Sequence, residues 1–191
     1  MNIFYLDHDV RKCAEMHNDK HVVKMILEYA QLLSTAHRIL DGAVSFGVSQ
    51  SGRKKVIYVL ADNRDTVLYS ATHINHPSAV WVRQSAQNYM WLAELLEECC
   101  KEYTHRYDKV HKVERDGLMQ ALKNQFPTNI PDGPFTEPTP AMPEDAKVLK
   151  EVHTDRYELD SLASYRNYYI QNKTHLANWK KRDVPEWYIT K

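Results

Sequence analysis

VRKCAEMHNDKHVVKMILEYAQLLSTAHRIL, residues 10–40, is the stretch on which the fold is decided. Apolar residues at Val22, Val23, Met25, Ile26, Leu27, Ala30, Leu32, Leu33 and Ala36 recur with helical spacing. The Asn18-Asp19 pair can break the helix, and Asp41-Gly42 ends it. At 100° per residue, His17, Lys20, His21, Lys24, Glu28, Gln31, Thr35 and Arg38 fall within an arc of roughly 100°, and apolar residues fill roughly 220° of the remainder. So wide an apolar arc implies a helix largely surrounded by protein, with a narrow polar stripe facing either solvent or a cleft. Lys20 and Lys24 are like charges one turn apart, His17 and His21 repeat the pattern, and Glu28 follows Lys24 in the less favourable order. Clustering of this kind costs stability, as functional sites do.

Outward from this helix the pattern remains helical. Residues 42–53 read as a loop, and 54–70 are ambiguous between a short strand and a helix, with 61–70 favouring helix. A second long helix starts at Pro77 or Ser78 and runs to about Tyr107. Shorter helices follow at 114–124 and 161–181. Six of the eight prolines lie in 127–143, which predicts an extended loop. The tail VPEWYITK is expected to dock on the body through its aromatics. The predicted fold class is all-α, one compact helical domain over 1–191.

Composition excludes several function classes. The 191 residues carry 25 basic and 25 acidic side chains and only five glycines, which argues against P-loop and Rossmann nucleotide sites. MNIFYLDHD lacks a basic segment followed by a long apolar one, so no membrane partner is expected and the location read is cytoplasmic. Cys13, Cys99 and Cys100 have no metal-site spacing and read as reduced thiols.

Three kinds of chemistry fit the stripe. Lys20 beside Lys24 makes a candidate amine nucleophile with Glu28 as acid and base. His17 and His21, four residues apart, could instead hold a metal with Glu28 or His76 and serve a nucleotide hydrolase. The same cleft could also bind a phosphorylated small molecule without chemistry. Downstream, His73, Asn75, His76 and Ser78 open the second long helix, where unpaired amides attract phosphate, although Asn75 and Ser78 can equally be caps. Trp81, Ser85 and Asn88 share a face that suits either a base or the core. Arg166, Lys173, Lys180, Lys181 and Arg182 form a run without an acid, interleaved with Tyr165, Tyr168, Tyr169 and Trp179. A second cationic cluster holds Lys101, His105, Arg106, Lys109 and Lys112, and a third Arg53, Lys54 and Lys55. Cations with aromatics between them suit phosphates and unstacked bases, or else a solvated face. Balanced charge overall predicts few phosphate contacts and a shallow salt dependence.

The short leader, the charged first helix, NHPSAVW opening a long helix, EYTHRYDKVHK at its end and the terminal RDVPEWY together resemble phage proteins of the pyrimidine-dimer DNA glycosylase group, the endonuclease V type. The resemblance implies a compact, nearly all-helical enzyme that cleaves a glycosylic bond in damaged DNA and then nicks the strand, without metal or cofactor, inside an infected bacterial host. It also implies an amine that attacks the sugar carbon and a first-helix glutamate that assists it. Glu28 matches the glutamate, and the amine is that of Met1 or of Lys20 or Lys24. His17, His21, Gln31, Arg38, His105, Arg106, Lys109, Arg166, Trp179, Lys180 and Arg182 would then contact the DNA.

Overall fold

The structure, a computed structural model, describes residues 1–48 and 51–188. Near its start the chain enters the core: Ile3, Phe4, Tyr5 and Leu6 are all buried. The phenol of Tyr29 accepts a hydrogen bond from the Phe4 amide (3.3 Å), and Tyr165 donates to the Asn2 side chain (2.7 Å).

Helix α1 (Val10–Met16) is capped by Asp9, whose carboxylate accepts from the Lys12 amide, and stops where His17 turns extended. Asn18 then caps α2 (Asp19–Asp41) by accepting from the His21 amide. The expected break therefore falls at His17-Asn18. Gly42 ends α2 because the chain turns back on itself there: a Cβ at this position would stand 2.4 Å from the Arg38 carbonyl oxygen.

The all-α expectation is overturned at this point. The protein is mixed, 49% helical and 12% strand, with two antiparallel two-stranded sheets. Residues expected to form a loop make β1 (Ala43–Val48), which pairs with β2 (Lys54–Val59). Of the helix expected over 61–70, only the single turn α3 (Arg64–Val67) forms. The second long helix is broken into α4 (Pro77–Val82) and α5 (Ala86–Tyr107), because Ser85 adopts an extended backbone, caps α5 through the Asn88 amide and donates its hydroxyl to the Pro134 carbonyl. Gly117, in the left-handed region at φ 81°, separates α6 (Lys112–Arg115) from α7 (Leu118–Asn124) where one helix was expected. A second hairpin, β3 (Val148–His153) with β4 (Arg156–Asp160), turns at Asp155 with φ 63° and leads into α8 (Ser161–Asn172), which is nine residues shorter than the 161–181 expected.

Helices α2 and α5 pack together around one apolar core that also takes in residues 3–6, Trp81 and α8. The proline-rich stretch is extended, as expected, and is stitched to the core: Thr136 donates its amide to Asn88 and receives the Trp81 indole N–H. The tail docks through buried Trp179 and Tyr188, and Ile189, Thr190 and Lys191 lie outside the described residues. No helix among the described residues is long and apolar enough to cross a membrane.

Candidate functional site

The two halves of the predicted stripe have different fates. The N-terminal half is covered by residues 3–6 and α8. His17 is fully buried, with Nδ1 bonded to the Cys13 carbonyl (2.6 Å) and Nε2 to the Tyr29 hydroxyl (2.8 Å). His21 stacks on Phe4 with centroids 4.1 Å apart and bonds the Tyr169 hydroxyl through Nδ1. Both rings thus pin the N-terminal segment and α8 to α2. With both nitrogens of His17 engaged, the pair does not converge on a metal.

Burial lowers the imidazoles of His17, His21 and His37 to about 4, about 2 and about 4. These values lie below the ordinary value near 6.5 that holds in the unfolded chain, so unfolding takes up protons below that pH. Stability is complete above about pH 6.5 and falls as pH drops toward 4, by up to about 1.4 kcal/mol per pH unit for each imidazole. Urea midpoints at pH 7, 5.5 and 4.5 should decline in step, and a flat profile would show these rings to be solvated.

The middle of α2 is open. Lys24 is exposed and its Nζ lies 3.0 Å from Glu28 Oε1, while the Glu28 side chain is only 13% exposed. Glu28 Oε2 is buried and has no hydrogen-bond partner among the described residues, a state that costs about 1–3 kcal/mol. Gln31 is half-buried beyond it, and Thr35 exchanges hydrogen bonds with the backbone of Thr72 (3.1 and 3.3 Å). That contact brings the loop 72–76 onto the stripe. Arg83 holds the same loop by donating to the Ile74 and Ala79 carbonyls.

His76 reports on its neighbours. Burial lowers its imidazole below the ordinary value, the Met1 ammonium and His73 push the same way, and Glu28 opposes them. With Met1 as first residue, an amine, a carboxylate and a second imidazole therefore lie within electrostatic reach of one ring. His76 Nδ1 accepts the Ser78 amide (3.2 Å), which leaves the neutral ring with its proton on Nε2, so it presents a donor. Lys24 is paired with Glu28, and the charges of Met1, His73 and Glu28 are felt at His76, on the loop that Thr35 holds against α2; Gln31 and the exposed Val23 and Leu27 lie on the same helix.

Most of the other expected DNA contacts are structural. Arg38 is buried and donates to the carbonyls of Tyr58, Asp65, Leu68 and Tyr69 and to the Asp65 carboxylate. Arg106 is fully buried among Glu102, Asp19 and the Glu15 carbonyl. Arg182 is paired with Glu102 and Glu15, and Arg166 with Asp7 and the Leu6 carbonyl. Lys181 meets Asp108, and Lys180 lies over the Tyr107 ring. Of the run 166–182, unopposed in sequence, Arg166, Lys181 and Arg182 are thus opposed by acids in space, while Lys173 and Lys180 lie over tyrosine rings. Trp81 and Trp179 are buried with their N–H groups on Thr136 and Met16, Asn88 and Ser85 brace the proline-rich stretch, and Ser78 is buried. The expected phosphate seat at Pro77 does not form, since α4 has only six residues and the His76 ring already takes the Ser78 amide. His105, Lys109, Asn75 and Lys20 remain exposed, His105 beside the Lys181 carbonyl.

Thr72, Arg83, Asn2 and Tyr165, which place the loop and the N-terminal segment, were not foreseen. Arg83 carried a signal, as a lone cation inside the apolar run AVWV-R-Q. A cavity of about 590 Å³ beside Arg166, Trp187 and Lys12 shares no residue with the cluster. No family model, curated protein or solved structure matches this chain.

Proposed function

We propose that the cluster on α2 is an amine–carboxylate site acting on the sugar of damaged or modified pyrimidine nucleotides in DNA, a glycosylase with an associated lyase step. The reading is supported above all by Glu28 Oε2, buried and unpartnered beside Lys24, and sharing His76 with the Met1 amine.

Glu28 removes a proton from the Met1 ammonium, and the amine nitrogen bonds to C1′ of the deoxyribose. The glycosylic C1′–N bond breaks with its electron pair leaving on the base, which takes a proton from the cluster, with His76 Nε2–H as the nearest donor of fixed orientation. The sugar ring then opens: O4′ takes the proton held by Glu28, the nitrogen returns one proton to His76, and the products are a protonated imine and a Glu28 carboxylate free to act again. Loss of a C2′ proton to Glu28 then expels the 3′ phosphate, and water releases the product. The base must leave the helix stack first, at a cost of a few kcal/mol. With Arg38, Arg106, Arg166 and Arg182 committed internally, exposed Lys20 and Lys24 supply the local positive charge, so salt dependence should be shallow. Borohydride added during reaction with abasic or ultraviolet-irradiated DNA should reduce the imine to a stable covalent adduct. Absence of any adduct on either substrate defeats the proposal.

A further inference from the structure

Both hairpins carry an apolar face that nothing among the described residues covers. In the first, Val44, Phe46 and Val48 alternate along β1 and their ladder partners Tyr58, Val56 and Lys54 point to the same side. Val44, Phe46, Val48 and Val56 are 63, 76, 66 and 52% exposed. In the second, Leu149 and Glu151 of β3 share a side with their partners Leu159 and Tyr157, and Leu149, Tyr157 and Leu159 are 60, 57 and 42% exposed. Isolated apolar side chains at a surface are ordinary, whereas two contiguous apolar sheet faces mark contacts.

Their charges are complementary. Residues 42–60 contain Arg53, Lys54 and Lys55 and no acid. The second hairpin carries Glu151, Asp155, Glu158 and Asp160 against Lys150 and Arg156. Arg156 is occupied by Glu158 and Lys150 by Glu137, while Glu151 and Asp155 make no ion pair among the described residues. Lys54 and Lys55 likewise make none. One face therefore pairs an apolar row with Lys54 on its own side, and the other pairs an apolar row with Glu151 on its own side.

We propose that the β1–β2 face of one copy docks on the β3–β4 face of a second copy, in a two-fold pair that makes this contact twice. A chain bearing one face of each kind satisfies both only by meeting itself, and two-fold closure leaves neither exposed. Nucleic acid would account for the basic face and be repelled by the acidic one.

Sedimentation equilibrium at micromolar concentration should give a dimer. Phe46→Asp and Leu149→Asp should each give a monomer, with unchanged far-ultraviolet circular dichroism because both positions are exposed. A chain with Lys54→Glu and Lys55→Glu should be monomeric alone, as should one with Glu151→Lys and Asp155→Lys, yet an equimolar mixture of the two should dimerise. A monomeric native chain overturns the proposal, as does a mixture that stays monomeric. So does a Phe46→Asp chain that still dimerises, or one whose sole change is weaker binding to an oligonucleotide.

Discussion

Glu28→Gln is expected to abolish turnover on damaged DNA, by about 10²–10⁴-fold, while leaving the fold intact. The amide keeps the volume and polarity of the carboxyl but cannot take a proton from the Met1 ammonium or from C2′. The lost Lys24 ion pair is worth no more than about 1 kcal/mol, because Lys24 is exposed. A melting temperature within a few degrees of the native protein, together with the lost activity, separates chemistry from folding. Full activity in this variant would remove Glu28 from the mechanism.

The second large effect belongs to stability. Arg106 has no exposed surface and joins three segments: its Nε bonds Glu102 (2.6 Å), and its two terminal nitrogens bond the Asp19 carboxylate and the Glu15 carbonyl (both 2.9 Å). Arg182 completes the network from the tail, 2.8 Å from Glu102. Burial opposes the ionisation of Glu102, but hydrogen bonds from Arg182 and Arg106 and their charges outweigh it and hold the carboxyl below its usual range. Arg106→Ala leaves Glu102 with Arg182 alone, deprives Asp19 and the Glu15 carbonyl of their buried donor, and should cost about 3–5 kcal/mol. For a protein of this size the loss lowers the melting temperature by roughly 6–20 °C. Arg106→Lys should recover only part of it, since one ammonium cannot reproduce the three directed bonds of the guanidinium fork. Circular dichroism melts of the two variants decide the point, and a near-native melt for Arg106→Ala would mean that the network is loosely held.

The sequence carried local signals well and long-range ones poorly. The break before Asp19 and the stop at Gly42 are encoded by their own caps, so both were legible. The hairpin 43–59 was not, because Ser45 and Gly47 alternate with Val44, Phe46 and Val48, and a strand with small residues on one side imitates a loop. The same alternation at 148–160 was passed over because the strong helix signal follows it directly. A wheel drawn through 10–40 placed Lys24, Glu28 and Gln31 on one stripe, and that stripe exists. It also enrolled His17 and His21, which residues 3–6 cover from far along the surface, and no periodicity within the helix reveals a covering segment. Arg106 and Arg182 illustrate the complementary failure. Along the chain Arg106 shows only Glu102, four residues away, because Asp19 lies 87 residues off, and the Glu15 that meets Arg182 lies 167 residues off. The neutral total charge was the better guide here, since Arg38, Arg64, Arg106, Arg166 and Arg182 each meet an acid of the same molecule.

The identity of the nucleophile is the most exposed part of the account. After borohydride reduction on an abasic oligonucleotide, proteolysis and mass analysis of the adduct should place the sugar-derived mass on the α-nitrogen of Met1. The same adduct should form far more slowly with Glu28→Gln. A sugar-derived mass on Lys20, Lys24 or any residue outside the Glu28 cluster would contradict the assignment of Met1 as the attacking amine.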